Sequence, residues 1–178
     1  MLRQFISKRA FSATSAADVQ FQRMESIYQG YYTHEKQRKI ICIGRNYLAH
    51  VEELNNSLPT EPMWFDKPLS SLLLPGSPLK LSGEEGQDIH HEIEMGIVIG
   101  MRGRDIRPED AMRHIAGYFI GVDFSDRVMQ GMNKAAGADW CIAKGANGYA
   151  AVSEYIHKSE IQDCGNVEIE LTVNGETR

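Results

Sequence analysis

The chain predicts an α+β fold built on a mixed sheet, and three observations carry that expectation. Apolar runs suited to strands are many and short. Runs with helical spacing are few, and the two kinds do not alternate as regular β-α-β units would. With 178 residues, 42% hydrophobic and 24% charged, the composition is that of one globular domain with a real core, or one domain with an appendage.

The elements follow in order. Lys39-Ile40-Ile41-Cys42-Ile43, ended by Gly44, reads as a buried strand. Asn46 can cap a helix through Tyr47, Leu48, His50, Val51 and Leu54, which Asn55-Asn56 stops. Residues 57–83 are rich in Pro, Ser and Gly, with strand-like pieces at 63–65 and 72–74. A strand is expected over 91–100. Pro108-Glu109-Asp110 opens a helix to His114, with acids at its positive end. Residues 118–124 read as a strand, after which Ser125 and Asp126 cap a helix through Val128, Met129 and Met132. Residues 135–165 read as irregular. Val167, Ile169, Leu171 and Val173 alternate with Glu168, Glu170 and Thr172, a half-buried strand, and Asn174-Gly175 is a strong hairpin turn signal. The sequence stops three residues after that turn, at Arg178. An unpaired strand there would leave bare backbone donors and acceptors, so the sequence reads as shortened at its C-terminus, the return strand missing; a natural terminus with a short edge hairpin is the alternative.

Residues 1–38 differ in kind. The first 17 carry Arg3, Lys8 and Arg9, several Ser and Thr, and no acid before Asp18. Leu2, Phe5, Ile6 and Phe11 can share one helix face. This is the make-up of a mitochondrial transit peptide followed by a linker, with a disordered basic tail as the alternative, and it leaves 39–178 as the domain proper, in the mitochondrial matrix. A net charge of −5 gives no footprint for nucleic acid, and no apolar run approaches a membrane span. Cys42, Cys141 and Cys164 are scattered and lack CxxC spacing, so they read as reduced thiols.

The chemistry-bearing residues centre on His90-His91-Glu92-Ile93-Glu94. Glu92 and Glu94 lie two apart on a strand and therefore point the same way. Paired carboxylates repel, and a hard divalent cation relieves them by taking oxygen ligands from both; a solvated acidic face is the alternative. Asp123, at the close of the second apolar run, would complete an all-oxygen site suited to Mg2+, with Mn2+ or Ca2+ as substitutes. His50 and Glu53 share a face of the expected helix, a carboxylate-backed imidazole fit to activate water, or a surface pair. Lys144 lies among small and apolar residues, either near a metal to stabilise an oxyanion or snorkelling at the surface.

Together these segments carry a resemblance. IGRNYLAH at 43–50, FDKP at 65–68, HHEIEMGIVIG at 90–100, GVDFSDRVMQ at 121–130 and WCIAKG at 140–145 resemble, in order and spacing, the fumarylacetoacetate hydrolase family. They look closest to its small mitochondrial branch of acylpyruvases that also act on oxaloacetate. The resemblance covers about 39–178 and implies a β-roll of layered sheets with short helices, incomplete at the C-terminus. It implies Glu92, Glu94 and Asp123 as metal ligands, His50 and Glu53 as the water-activating dyad on a mobile lid, and Lys144 as oxyanion partner. Arg45, Lys67, Arg127 and Gln130 would line the substrate site, with Gly44 and Asn46 shaping it. It departs from the family's pattern at Asp126, in the loop 137–140, and in lacking the strands and Thr-Gly-Thr-Pro segment that normally follow Asn-Gly. The implied activity is hydrolysis of the C–C bond of acylpyruvates through a metal-stabilised enolate, by a homodimer in the full-length form. The alternatives are oxaloacetate decarboxylation or keto–enol tautomerisation at the same site, or a shortened chain without catalysis.

Overall fold

The computed structural model describes residues 39–47, 59–81, 83 and 85–177. They form two compact units, one from 39–92 and 122–152, the other from 93–121 and 153–177. The transit-peptide reading and the His50–Glu53 helix fall outside the described residues. Among the described residues no helix is long and apolar enough to cross a membrane.

In the first unit, β1 (Ile40–Gly44) pairs antiparallel with β2 (Met63–Lys67), from Ile40 opposite Lys67 to Gly44 opposite Met63. Strand alternation buries Phe65 and Lys67 and exposes Trp64 and Asp66. A Cβ at Gly44 would stand 2.7 Å from Met63 Cε, the far end of a flexible side chain that can move aside. A short β3 (Leu72–Leu73) pairs in parallel with β6 (Ala150–Val152), Leu72 opposite Ala150. The larger sheet runs in the order β3-β6-β5-β4, with β4 spanning Ile89–Ile99 and β5 Ile115–Asp126. Parallel and antiparallel pairs in one sheet, with few short helices, give the expected α+β class. Phe65, Phe124, Ala143, Tyr149, Ala150 and Val152 are this unit's buried apolar residues.

Two helices follow β5. α1 (Arg127–Ala136) starts where the Asp126 carboxylate accepts from Met129 N at 3.1 Å. It ends at Gly137, whose φ of 65° closes the last turn. α2 (Cys141–Lys144) is a single turn, and its preceding residue Trp140 packs its ring 5.7 Å from Phe65.

In the other unit, β7 (Ile156–His157) pairs antiparallel with β5, Gly117 opposite His157. Tyr155 Oη donates to Ala116 O at 2.6 Å across the same contact. Pro108–His114 is a 3-10 helix, and His114 O accepts from Gly100 N at 2.8 Å.

Several sequence expectations change. β5 continues three residues past Asp123, because Phe124 N still has a carbonyl to bond, Tyr149 O at 3.0 Å. Ser125 is therefore a strand residue, and Asp126 alone caps the helix. The stretch 135–165 holds α2, β6 and β7, which carry no period long enough to read. The alternation over 167–173 yields only β8 (Thr172–Val173), since its partner β9 (Glu176–Thr177) offers two ladder pairs. The turn between them has Asn174 and Gly175 at φ 53° and 88°, as a two-residue hairpin demands. After the turn β9 pairs over two residues, Thr172 opposite Thr177 and Val173 opposite Glu176.

Packing at Gly117 has a measurable consequence. A Cβ there would lie 2.3 Å from Ile156 O, a backbone atom that cannot yield cheaply. Gly117→Ala is expected to cost about 1–3 kcal/mol by urea denaturation. Gly131→Ala, in α1 with nothing within 4 Å of the new methyl, should instead stabilise by up to about 1 kcal/mol. Equal effects at both sites would contradict this packing.

Candidate active site

Four elements bring polar side chains together within one unit. Asp123 and Ser125 are two apart on β5 and so share a face; Glu92 comes from β4, Lys67 from the end of β2, and Lys144 from the end of α2. Asp123 is 8% exposed, Lys67 and Lys144 each 2%, and Ser125 is fully buried. Charges so far from water persist only when matched.

Lys67 is matched twice over. Its three N–H bonds go to main-chain oxygens: Phe124 O at 3.2 Å, Tyr149 O at 2.8 Å, and Lys144 O. Its ammonium also stands 2.7 Å from Asp123 Oδ1. That contact is an ion pair added to the three carbonyl bonds. Burial pulls the Lys67 ammonium below the ordinary lysine pKa; the charge of Asp123 opposes this and that of Lys144 adds to it.

Lys144 is matched through side chains alone. Its Nζ donates to Asp123 Oδ2 at 2.6 Å, to Ser125 Oγ at 2.6 Å and to Glu92 Oε2 at 3.2 Å. It also lies 4.9 Å from the Phe65 ring centroid, a favourable cation–π distance. The Asp123 carboxylate thus has one ammonium at each oxygen.

Arg127 opens α1, where its N–H donates to Asp88 O at 2.8 Å. Its guanidinium pairs with Glu92 Oε1 and donates from Nη1 to Gln130 Oε1 at 2.7 Å, one helical turn on. Ser125 Oγ reaches the same Glu92 oxygen at 3.4 Å.

The sequence-derived set is thus placed unevenly. Glu92, Asp123, Lys144, Lys67, Arg127 and Gln130 form one connected network. Glu92 and Asp123 converge on Lys144. Among the described residues no group of three or more His, Cys, Asp and Glu side chains is placed to hold a metal ion. The sequence puts Lys67 among substrate-lining residues; the structure buries its ammonium and spends all its donors on backbone. Arg45 follows β1 with φ 55°, a left-handed conformation uncommon outside glycine. Ser125 is the member that sequence reading misses, because a serine before a helix looks like a cap; its place two residues after Asp123 was the available signal.

As chemistry, the network is an anionic pair held by three cationic side chains. The donor set that converges on Lys144, carboxylate oxygens of Asp123 and Glu92, suits a hard cation better than zinc, which prefers nitrogen and sulfur.

Residues 39–178 match the family described as Fumarylacetoacetate (FAA) hydrolase C-terminal. Mitochondrial oxaloacetate decarboxylase of Dictyostelium discoideum is 43% identical over 145 residues, which cover 81% of this chain and 66% of that protein. Mitochondrial oxaloacetate tautomerase FAHD1 of Arabidopsis thaliana is 41% identical over 140 residues, covering 79% and 62%. The chain thus spans just under two thirds of the length of these relatives. Among solved structures, fumarylpyruvate hydrolase from Pseudomonas aeruginosa, in complex with Mn2+ and pyruvate, superposes with a TM-score of 0.71 at 32% identity, covering 83% of this chain and 66% of that one.

The donor arrangement of Lys67 makes a stability prediction. Lys67→Met strands three carbonyls and leaves Asp123 Oδ1 without its countercharge. It should destabilise the chain by about 3–5 kcal/mol in urea denaturation. A loss under about 1 kcal/mol would show the ammonium to be dispensable.

Proposed function

Because this chain belongs to the fumarylacetoacetate hydrolase family, a family of enzymes, we propose that it acts on oxaloacetate through the enolate of this 2-keto acid, as a tautomerase or decarboxylase. The observation that carries this reading is the buried Lys144 ammonium bridging Asp123 and Glu92. The names of the two curated relatives support oxaloacetate over other keto acids.

Both reactions put negative charge on the C2 oxygen. In tautomerisation a proton leaves C3 and one is taken up at that oxygen. In decarboxylation the C4 carboxylate departs as CO2 and its electron pair moves to the same place. Lys144 is proposed to face that oxygen, where a low-dielectric surrounding strengthens its effect. Arg127, backed by Gln130, is proposed to orient a substrate carboxylate. Lys67 is proposed to border the substrate site while holding Asp123 and the backbone around it. Glu92, Glu94 and Asp123 are proposed to hold Mg2+, or Mn2+ in its stead. When bound, the ion would supply a Lewis acid for the keto and carboxylate oxygens of the substrate.

A second reading, hydrolysis of acylpyruvates, draws support from the structural likeness to fumarylpyruvate hydrolase. It requires a water-activating base, for which His50 backed by Glu53 is proposed. A mitochondrial matrix location is proposed from the basic, acid-free first residues and the mitochondrial names of the two relatives. A homodimer is proposed as the working form, with no nucleic-acid or membrane partner.

Three assays on one preparation separate the readings: loss of enol absorbance from oxaloacetate, pyruvate release from oxaloacetate, and acylpyruvate cleavage. Oxaloacetate conversion should dominate; faster acylpyruvate cleavage would move the assignment to the second reading. Lys144→Met should lower kcat in every assay by about 100-fold or more. His50→Ala should abolish acylpyruvate cleavage while sparing decarboxylation. Intact cleavage in that variant would remove His50 as the base.

A further inference from the structure

We propose that Lys144 is an internal cation that competes with a divalent metal ion for Glu92 and Asp123, and that its release from them makes its ammonium available to the keto acid. The inference rests on the metal-site reading above.

It begins with a donor count. An ammonium has three N–H bonds. In Lys144 they are spent on Asp123 Oδ2, Ser125 Oγ and Glu92 Oε2, at 2.6, 2.6 and 3.2 Å. None is left for a substrate oxygen. Lys144 therefore cannot hold both carboxylates and stabilise an oxyanion at the same moment.

Distance gives the second step. A hard cation binds carboxylate oxygens at about 2.0–2.6 Å. An ion shared by Glu92 and Asp123 would stand within a few ångströms of the present Nζ position. Two like charges that close in a buried site repel strongly.

Charge count gives the third. Lys67, Lys144 and Arg127 face Glu92 and Asp123 in this unit, so these carboxylates are neutralised by the chain itself. An entering ion must push positive charge away, and only one lysine is free to go. Lys67 is pinned by main-chain oxygens of three separate residues, Phe124, Lys144 and Tyr149. Lys144 is held only by side-chain oxygens, and its four-carbon stem can swing its head to a new partner.

The test titrates Mn2+ alone into the 178-residue chain by calorimetry, comparing wild type, Lys144→Met and Ser125→Ala, with melting curves in the absence and presence of Mn2+. Lys144→Met should bind Mn2+ about tenfold more tightly or better, since a competing unit charge is gone. It should also melt below wild type without Mn2+ and gain more from saturating Mn2+. Ser125→Ala keeps the charge but removes one anchor of Nζ, and should tighten binding about threefold, the weight of one lost hydrogen bond. If Lys144→Met binds Mn2+ no more tightly than wild type, the competition is overturned while the metal site stands. Should that variant fail to fold, Ser125→Ala decides in the same way, tighter binding supporting the proposal and unchanged or weaker binding overturning it. No Mn2+ binding by any of the three chains overturns both the competition and the metal site beneath it.

Discussion

Asp123 sits almost out of reach of water with an ammonium against each of its oxygens, and the rest of its unit is organised around keeping that charge matched. A carboxylate removed from water without partners costs several kcal/mol. Lys67 and Lys144 offset that cost, yet each is itself buried and needs its own acceptors. Lys67 finds them in three main-chain carbonyls, Lys144 in Glu92 and Ser125. The requirement propagates outward: one buried charge demands two, and those two recruit the ends of β2 and α2.

Lys67 ties the framework to the chemistry. By accepting its protons, Phe124 O, Tyr149 O and Lys144 O bring together β5, the turn before β6, and the C-terminal end of α2. A four-residue helix has little stability of its own, so the end of α2 relies on such tertiary contacts. Gly145 permits another, since a Cβ there would lie 2.7 Å from Pro68 Cδ. The placement of Lys144 at Asp123 is therefore a product of packing rather than of helix propensity. The fixed lysine and the releasable one differ only in what accepts their protons, backbone in one case and side chains in the other.

The strands were legible where their pattern was local. Lys39 to Gly44, the run through Glu92 and Glu94, and the run ending near Asp123 each carried a clear apolar signal, and each became a strand. Asp126 as a cap and Asn174-Gly175 as a turn were readable because their side-chain and backbone chemistry acts within a few residues. The three-residue β6 and single-turn α2 were not, because elements so short are made by their neighbours. Ser125 looked like a cap because nothing local shows that β5 keeps a hydrogen-bond partner as far as Phe124. The pairing of Glu92 and Asp123 with Lys144 joins residues 52 and 21 positions apart, and no spacing rule reaches that far. The family resemblance named Glu92 and Asp123 as metal ligands and Lys144 as oxyanion partner, not as partners of one another; the match over 39–178 bears out the family.

The account turns on Glu92 and Asp123 sharing one ion where Lys144 now bridges them. Anomalous scattering from a crystal of the chain grown with Mn2+ and oxalate tests this most directly. A manganese peak is expected about 2.0–2.6 Å from carboxylate oxygens of both residues, with Lys144 Nζ turned from them toward oxalate. A peak elsewhere, or one beside a Lys144 still bonded to both carboxylates, would contradict it.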